Sequence, residues 1–170
     1  KGLPIDSIAS VASFFVSRID TKIDAQLEKM AQGGGQNAAQ AASLRGKAAI
    51  ANARLAYARY EAIFGSTRFE SLKAKGGRTQ RPLWASTSTK NPNYRDVIYV
   101  ETLIAPDSVN TVPPQTLDAF RDHGEAAVTI RQDLVGMEKA LAGLESLGIH
   151  MSQVTDELEA EGVQSFSDAF

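Results

Sequence analysis

Two short apolar runs and a third short candidate strand, separated by segments that include stretches with helical spacing, constrain this chain more than any other feature. They are SIASVASFFV at Ser7–Val16, RPLWA at Arg81–Ala85, and the segment around Ser108–Thr111. Runs of this kind, part β-branched or aromatic, read as buried strands. Two parallel strands cannot be joined by a tight turn, because the chain must cross back over the sheet, usually as a helix. Strand–helix alternation therefore predicts parallel βα units with the helices outside.

The intervening segments supply those helices. In the first run Ser13 interrupts the apolar residues, so the strand is expected to end near it and turn into a helix. The next segment carries Ile19, Ile23, Leu27 and Met30, spacings of 4, 4 and 3 that fall on one helix face. GGGQN at 33–37 breaks the pattern. From Ala38 to Phe64 the chain is alanine-rich, with Leu44, Ala48, Ala51, Leu55, Ala58 and Ala62 at helical spacing, and it reads as one long helix. Phe69–Lys75 is a short helix stopped by Gly76-Gly77. Val97–Leu103 fits either a short helix or an extended segment. Pro113 and Pro114 open a further helix at no cost in hydrogen bonds, and His123-Gly124 closes it. Met137–Leu147 and Ser152–Ala160 complete the series, with Ser152 as an N-cap and Gly148 and Gly162 as stops.

Three strands cannot close a barrel, and a parallel sheet needs both faces covered. The expectation is a single α/β unit over residues 1–170: three parallel strands with predominantly helical connections, about half of a (β/α)8 barrel. The remainder would come from the same or another chain. The composition suits one soluble core, with 43% hydrophobic and 22% charged residues. A net charge of −2 gives no reason to expect nucleic acid. No apolar run approaches the ~18 residues of a membrane span, and KGLPIDSIAS lacks a signal-peptide core. Cysteine is absent, which excludes thiolate chemistry and fits a reducing cytosol.

Function in βα architectures sits at the carboxyl ends of the strands. The first strand offers Ser13 and then Arg18. The second offers Ser86, Thr87, Ser88 and Lys90. The third offers Asn110 and Thr111. Cations supply charge, while hydroxyls and helix amides supply donors, so this set suits a phosphate group. Each element also has a plainer role: Ser/Thr clusters after strands serve as turn and cap residues, and lone Arg or Lys residues are usually solvated. Neither His123 nor His150 has a second ligand at metal spacing, so no metal site is expected. Trp84, Tyr57 and Tyr60 read as packing residues. There is no dinucleotide fingerprint, P-loop or Ser-His-Asp signature.

The strings ASFFVSRID, RPLWASTSTKNPNYRD and YVETLIAPDSVNTVPPQTLDAFRDHG together resemble transaldolase. They look most like the longer bacterial type, sometimes fused to a glucose-6-phosphate isomerase. The resemblance covers nearly the whole chain and implies the C-terminal part of a (β/α)8 TIM barrel. It implies transfer of a dihydroxyacetone unit from sedoheptulose 7-phosphate to glyceraldehyde 3-phosphate, in the pentose phosphate pathway of the cytoplasm, without metal or organic cofactor. The nucleophile in the family is a Schiff-base lysine in a motif like Lys-Ile-Pro-Ala-Thr. That motif is absent here, as are the aspartate and glutamate that move protons. Ser13 and Arg18 match the family's phosphate-binding serine and arginine. Ala85-Ser86 match the start of the family's Ala-Ser-Phe-Arg-Asn; its arginine is missing, and Lys90 is the nearest cation. The resemblance thus implies Ser13, Arg18, Ser86 and Lys90 as ligands of a sugar phosphate. Two other readings stay open: a non-catalytic phosphosugar-binding or structural half-barrel, and a small aldolase using Lys90 itself. A Schiff-base lysine needs burial or a neighbouring cation, and the polar surroundings of Lys90 suit phosphate binding better.

Overall fold

The computed structural model describes residues 4–170; Lys1 to Leu3 of the amino-terminal reading lie outside the described residues. Strands β1 (Val11–Phe15), β2 (Arg81–Ala85) and β3 (Val109–Asn110) form one parallel sheet in the order β1-β2-β3. Between and after them run α1 (Val16–Gln32), α2 (Ala38–Leu44), α3 (Ala48–Phe64), α4 (Thr67–Lys73), α5 (Ile98–Glu101), α6 (Pro114–His123), α7 (Leu134–Ser146) and α8 (Met151–Asp168). The three expected strands and the parallel α/β architecture are present.

The register pairs Ser13 with Leu83 and Phe14 with Trp84. Alternation along the strands therefore divides the sheet into two faces. Phe14 and Trp84 face the helices, their ring centroids 5.7 Å apart. Trp84 is fully buried, and its indole donates to the Leu103 carbonyl at 3.0 Å. The other face carries Val11, Ser13, Phe15, Arg81 and Leu83, and Val11 and Phe15 are exposed. A parallel sheet bare on one side is a partial barrel.

The core lies between the sheet and α1, α3 and α7. Val16, Ile19, Ile23 and Leu27 of α1 meet Ala48, Ala49, Ala53 and Tyr57 of α3 and Leu144 of α7. Alanines let α3 approach its neighbours closely, so burial is shared over many small side chains. The larger ones, such as Ile23 and Leu27, each add about 2 kcal/mol. Arg54 of α3 is buried without a carboxylate. It donates to the Thr102 carbonyl at 3.3 Å and to that of Gln132 at 2.7 Å, tying α5 to the loop before α7.

Several boundaries differ from the sequence reading. The strand β1 continues past Ser13 to Phe15 and enters α1 without a turn. The alanine-rich segment is two helices, broken at Arg45–Lys47. Gly46 there has φ +70°, and a Cβ on it would lie 2.9 Å from the Tyr94 ring. Asp24 of α1 accepts from the Gly46 amide at 3.0 Å, and Asp20 accepts from the Ala49 amide at 2.8 Å. Two carboxylates one turn apart thus satisfy the amides that the break exposes. The 97–103 segment resolves as helix α5. In place of Ser152, His150 occupies the N-cap of α8, which runs through Gly162 to Asp168. Gly148 does stop α7, at φ +78°.

Candidate functional site

The carboxyl ends of β1 and β2 meet across one short contact. The Ser17 amide, in the first turn of α1, donates to the Ser86 carbonyl at 3.1 Å. Their hydroxyls lie 2.8 Å apart. No side chain caps α1, so Ser86 accepts one of the amides that every helix start leaves unpaired. Ser86 itself sits at φ +56°, a left-handed conformation that costs an L-residue about 1–2 kcal/mol.

The run of hydroxyls after β2 divides its work. Ser86 opens onto a cavity. Thr87 is fully buried and donates to the Asn110 side chain at 2.8 Å, pinning the end of β2 to β3. Ser88 accepts from the Lys90 ammonium at 3.0 Å. Thr111 donates its amide to the Trp84 carbonyl at 3.0 Å and so belongs to the sheet.

The cavity has a volume of about 650 Å³, within the range of small-molecule sites. Its lining includes Ser17, Arg18, Lys22, Ser86, Lys90 and Glu161. Arg18, Ser86 and Lys90, expected to act together, therefore share one space. Arg18 stacks over the Phe15 ring, 4.7 Å from its centroid. Ser13 does not line the cavity; it sits exposed on the bare face of β1, the face that also carries Phe15.

The charges in the cavity are not equivalent. Lys22 is paired with Glu157 at 2.8 Å and with Glu161, both on α8, and these carboxylates push its amine upward. Among the described residues, neither Arg18 nor Lys90 forms an ion pair, and both are exposed. The cavity thus presents two uncompensated cations beside two hydroxyls and a helix start without a side-chain cap. Charge and donors of this kind are chemically suited to an anion.

Nothing in the sequence alone singles out Ser17, Lys22 and Glu161. Ser17 adjoins Arg18 in the same string, so its position beside a strand end was the available signal. Nothing local marks Glu161, which reaches the site from a helix 143 residues beyond Arg18. The histidines stay outside the site. His123 bonds Asp96 at 2.9 Å and Asp122 at 3.1 Å, and the two carboxylates raise it above its ordinary value. His150 contacts Glu145. Among the described residues no cluster of His, Asp and Glu could hold a metal ion, and no helix is long and apolar enough to cross a membrane.

A family model described as transaldolase/fructose-6-phosphate aldolase matches residues 3–170. The chain is 51% identical over 170 residues to a transaldolase of Mycolicibacterium smegmatis, covering 99% of this chain and 44% of that protein. It is 48% identical over 170 residues to a transaldolase of Frankia alni, with the same coverage of each. A transaldolase of Thermobifida fusca is 49% identical over 166 residues, 97% of this chain and 44% of that protein. The chain spans less than half the length of these curated relatives. With a match across nearly all of its residues, the chain belongs to the transaldolase/fructose-6-phosphate aldolase family.

Proposed function

We propose that these 170 residues form a single unit, the phosphate-binding C-terminal side of a transaldolase barrel. The bare face of the sheet is completed by further βα units of the same protein or of another chain. Arg18 and Lys90 neutralise the phosphate of a sugar phosphate, Ser86 donates to it, and Ser13 approaches from the barrel-facing side of β1. The observation that carries this reading is the convergence of two unpaired cations on one cavity at the strand ends. The amino-terminal end of α1 adds the positive end of a helix dipole.

The reaction is transfer of a dihydroxyacetone unit from sedoheptulose 7-phosphate to glyceraldehyde 3-phosphate, a step of the pentose phosphate pathway in the cytoplasm. The Schiff-base lysine lies outside these residues. Lys90 is exposed and engaged with Ser88, a setting for an ammonium that binds phosphate rather than an amine that attacks a carbonyl.

Substitution of Arg18 in the full-length protein tests this directly. Arg18→Ala should raise KM for the sugar phosphate about 30-fold, the loss of one charge-assisted contact. Borohydride trapping of the ketose at saturating substrate should persist, because the nucleophile is untouched. An unchanged KM would overturn the phosphate assignment. Phosphate binding without turnover by the wild type would favour the non-catalytic half-barrel. Trapping on Lys90 would make this chain an aldolase in its own right.

A further inference from the structure

Ser17 is only 2% exposed, yet its hydroxyl meets the one cavity-lining residue with a strained backbone. Its contacts with Ser86 are twofold: amide to carbonyl at 3.1 Å and hydroxyl to hydroxyl at 2.8 Å. Its own carbonyl accepts from the Thr21 hydroxyl at 2.9 Å, which anchors it to the next turn of α1. A residue such as Ser86, in a sparsely populated conformation, persists only where its surroundings over-determine it. Those two bonds supply that determination.

We infer that Ser17 is a positioning residue that clasps Ser86 and aims its hydroxyl proton into the cavity. The inference rests on the phosphate reading given above. A phosphate oxygen only accepts, and each serine hydroxyl has one proton to give. When Ser17 donates to the Ser86 oxygen, the Ser86 proton is the one left for the anion. The two hydroxyls then act as a single polarised donor, since hydrogen bonds in a chain strengthen one another. Without the Ser17 hydroxyl the Ser86 hydroxyl is free to rotate away, while the amide-to-carbonyl bond still holds the Ser86 backbone. Ser17 therefore acts on the ligand through Ser86.

A double-mutant cycle in the full-length protein separates this role from simple packing, with inorganic phosphate as the competitive probe and sugar-phosphate turnover as the readout. Ser17→Ala should weaken inhibition by phosphate about fivefold and raise KM by the same factor, with kcat unchanged. Ser86→Ala should have at least as large an effect. The double variant should be no worse than Ser86→Ala, because Ser17 has nothing left to aim. Inhibition by phosphate within twofold of wild type in Ser17→Ala would overturn the clasp. So would full additivity in the double variant, or a fall in kcat with KM unchanged. If phosphate fails to compete with substrate in the wild type at millimolar concentration, the phosphate reading falls and takes the clasp with it. If phosphate competes but Ser17→Ala is silent, only the clasp falls.

Discussion

The helix α1 carries two polar faces that meet opposite fates. On one, Asp20 and Asp24 point toward α3 and the loop after β2. Asp20 accepts from the Ala49 amide and from the Tyr99 hydroxyl at 2.7 Å. Asp24 accepts from the Gly46 amide and from the Tyr94 hydroxyl at 2.7 Å. Each carboxylate oxygen has a donor. On the other face, Arg18 and Lys22 open into the cavity, where Lys22 is matched by α8 carboxylates and Arg18 has only an aromatic ring for company. One helix thus shows what saturation means. Polar groups whose partners come from the chain itself hold the fold, and those left unmatched are available to a ligand.

The contrast predicts a clean separation of effects. The largest concerns stability. Asp20→Ala leaves the buried Ala49 amide and Tyr99 hydroxyl without an acceptor, and should cost about 3 kcal/mol in denaturant unfolding. The folded variant should retain the phosphate affinity of the wild type, measured by competitive inhibition. A variant that kept its stability but lost phosphate affinity would invert the two faces. Arg18→Ala should do the opposite, with its effect confined to KM.

The next effect depends on pH. Burial pushes the Asp20 carboxyl up to about 6 from 3.8, against the pull of the Ala49 amide and Tyr99 hydroxyl. The folded protein therefore binds this proton more tightly than the unfolded chain. The associated stability is fully present below about pH 4 and is lost as pH rises through about 6, amounting to about 3 kcal/mol. Glu101 beside Arg95 and Glu157 beside Lys22 lie below their ordinary values and act in the opposite sense. Asp20→Asn isolates the first contribution. The stability of the wild type minus that of the variant should fall as pH rises from about 4 to about 6. A flat difference would mean that Asp20 is hydrated, and the two faces of α1 would then differ less than their contacts imply.

The smallest effect lies at the border of the cavity. Lys22→Met removes a cation whose charge is already matched by Glu157 and Glu161. It should weaken phosphate binding only about twofold, through the carboxylates it leaves unpaired, and this loss should vanish in high salt. A loss as large as that of Arg18→Ala would show that Lys22 is itself a ligand and that its pairing with α8 breaks when substrate enters.

What the sequence made legible follows the same division. The strands and most of the helices could be read because apolar spacing is local. Arg18, Ser86 and Lys90 could be placed together because parallel strands bring their carboxyl ends to one side. The break at Gly46 was hidden in a run of strong helix formers, since the carboxylates that stabilise it sit 22 and 29 residues earlier on another helix. In sequence Thr87 looks like its neighbouring hydroxyls, yet it pairs with Asn110, a partner fixed only when β3 joins the sheet. Ser13 interrupts the apolar run in the sequence, but the following apolar residues carry β1 two positions further.

The register of the sheet also has a consequence in time. Val11 pairs with Arg81, and the Ser17–Ser86 contact closes a span of 69 residues. Such closures carry an entropic cost that local helix formation does not, and they come late in folding. The cavity is therefore assembled by the slowest event in the chain rather than by any one element. Trp84, the only tryptophan, is buried by that same pairing. In a refolding experiment its fluorescence and the capacity to bind phosphate should appear in a single phase. Phosphate binding that preceded burial of Trp84 would mean that the site forms without the sheet.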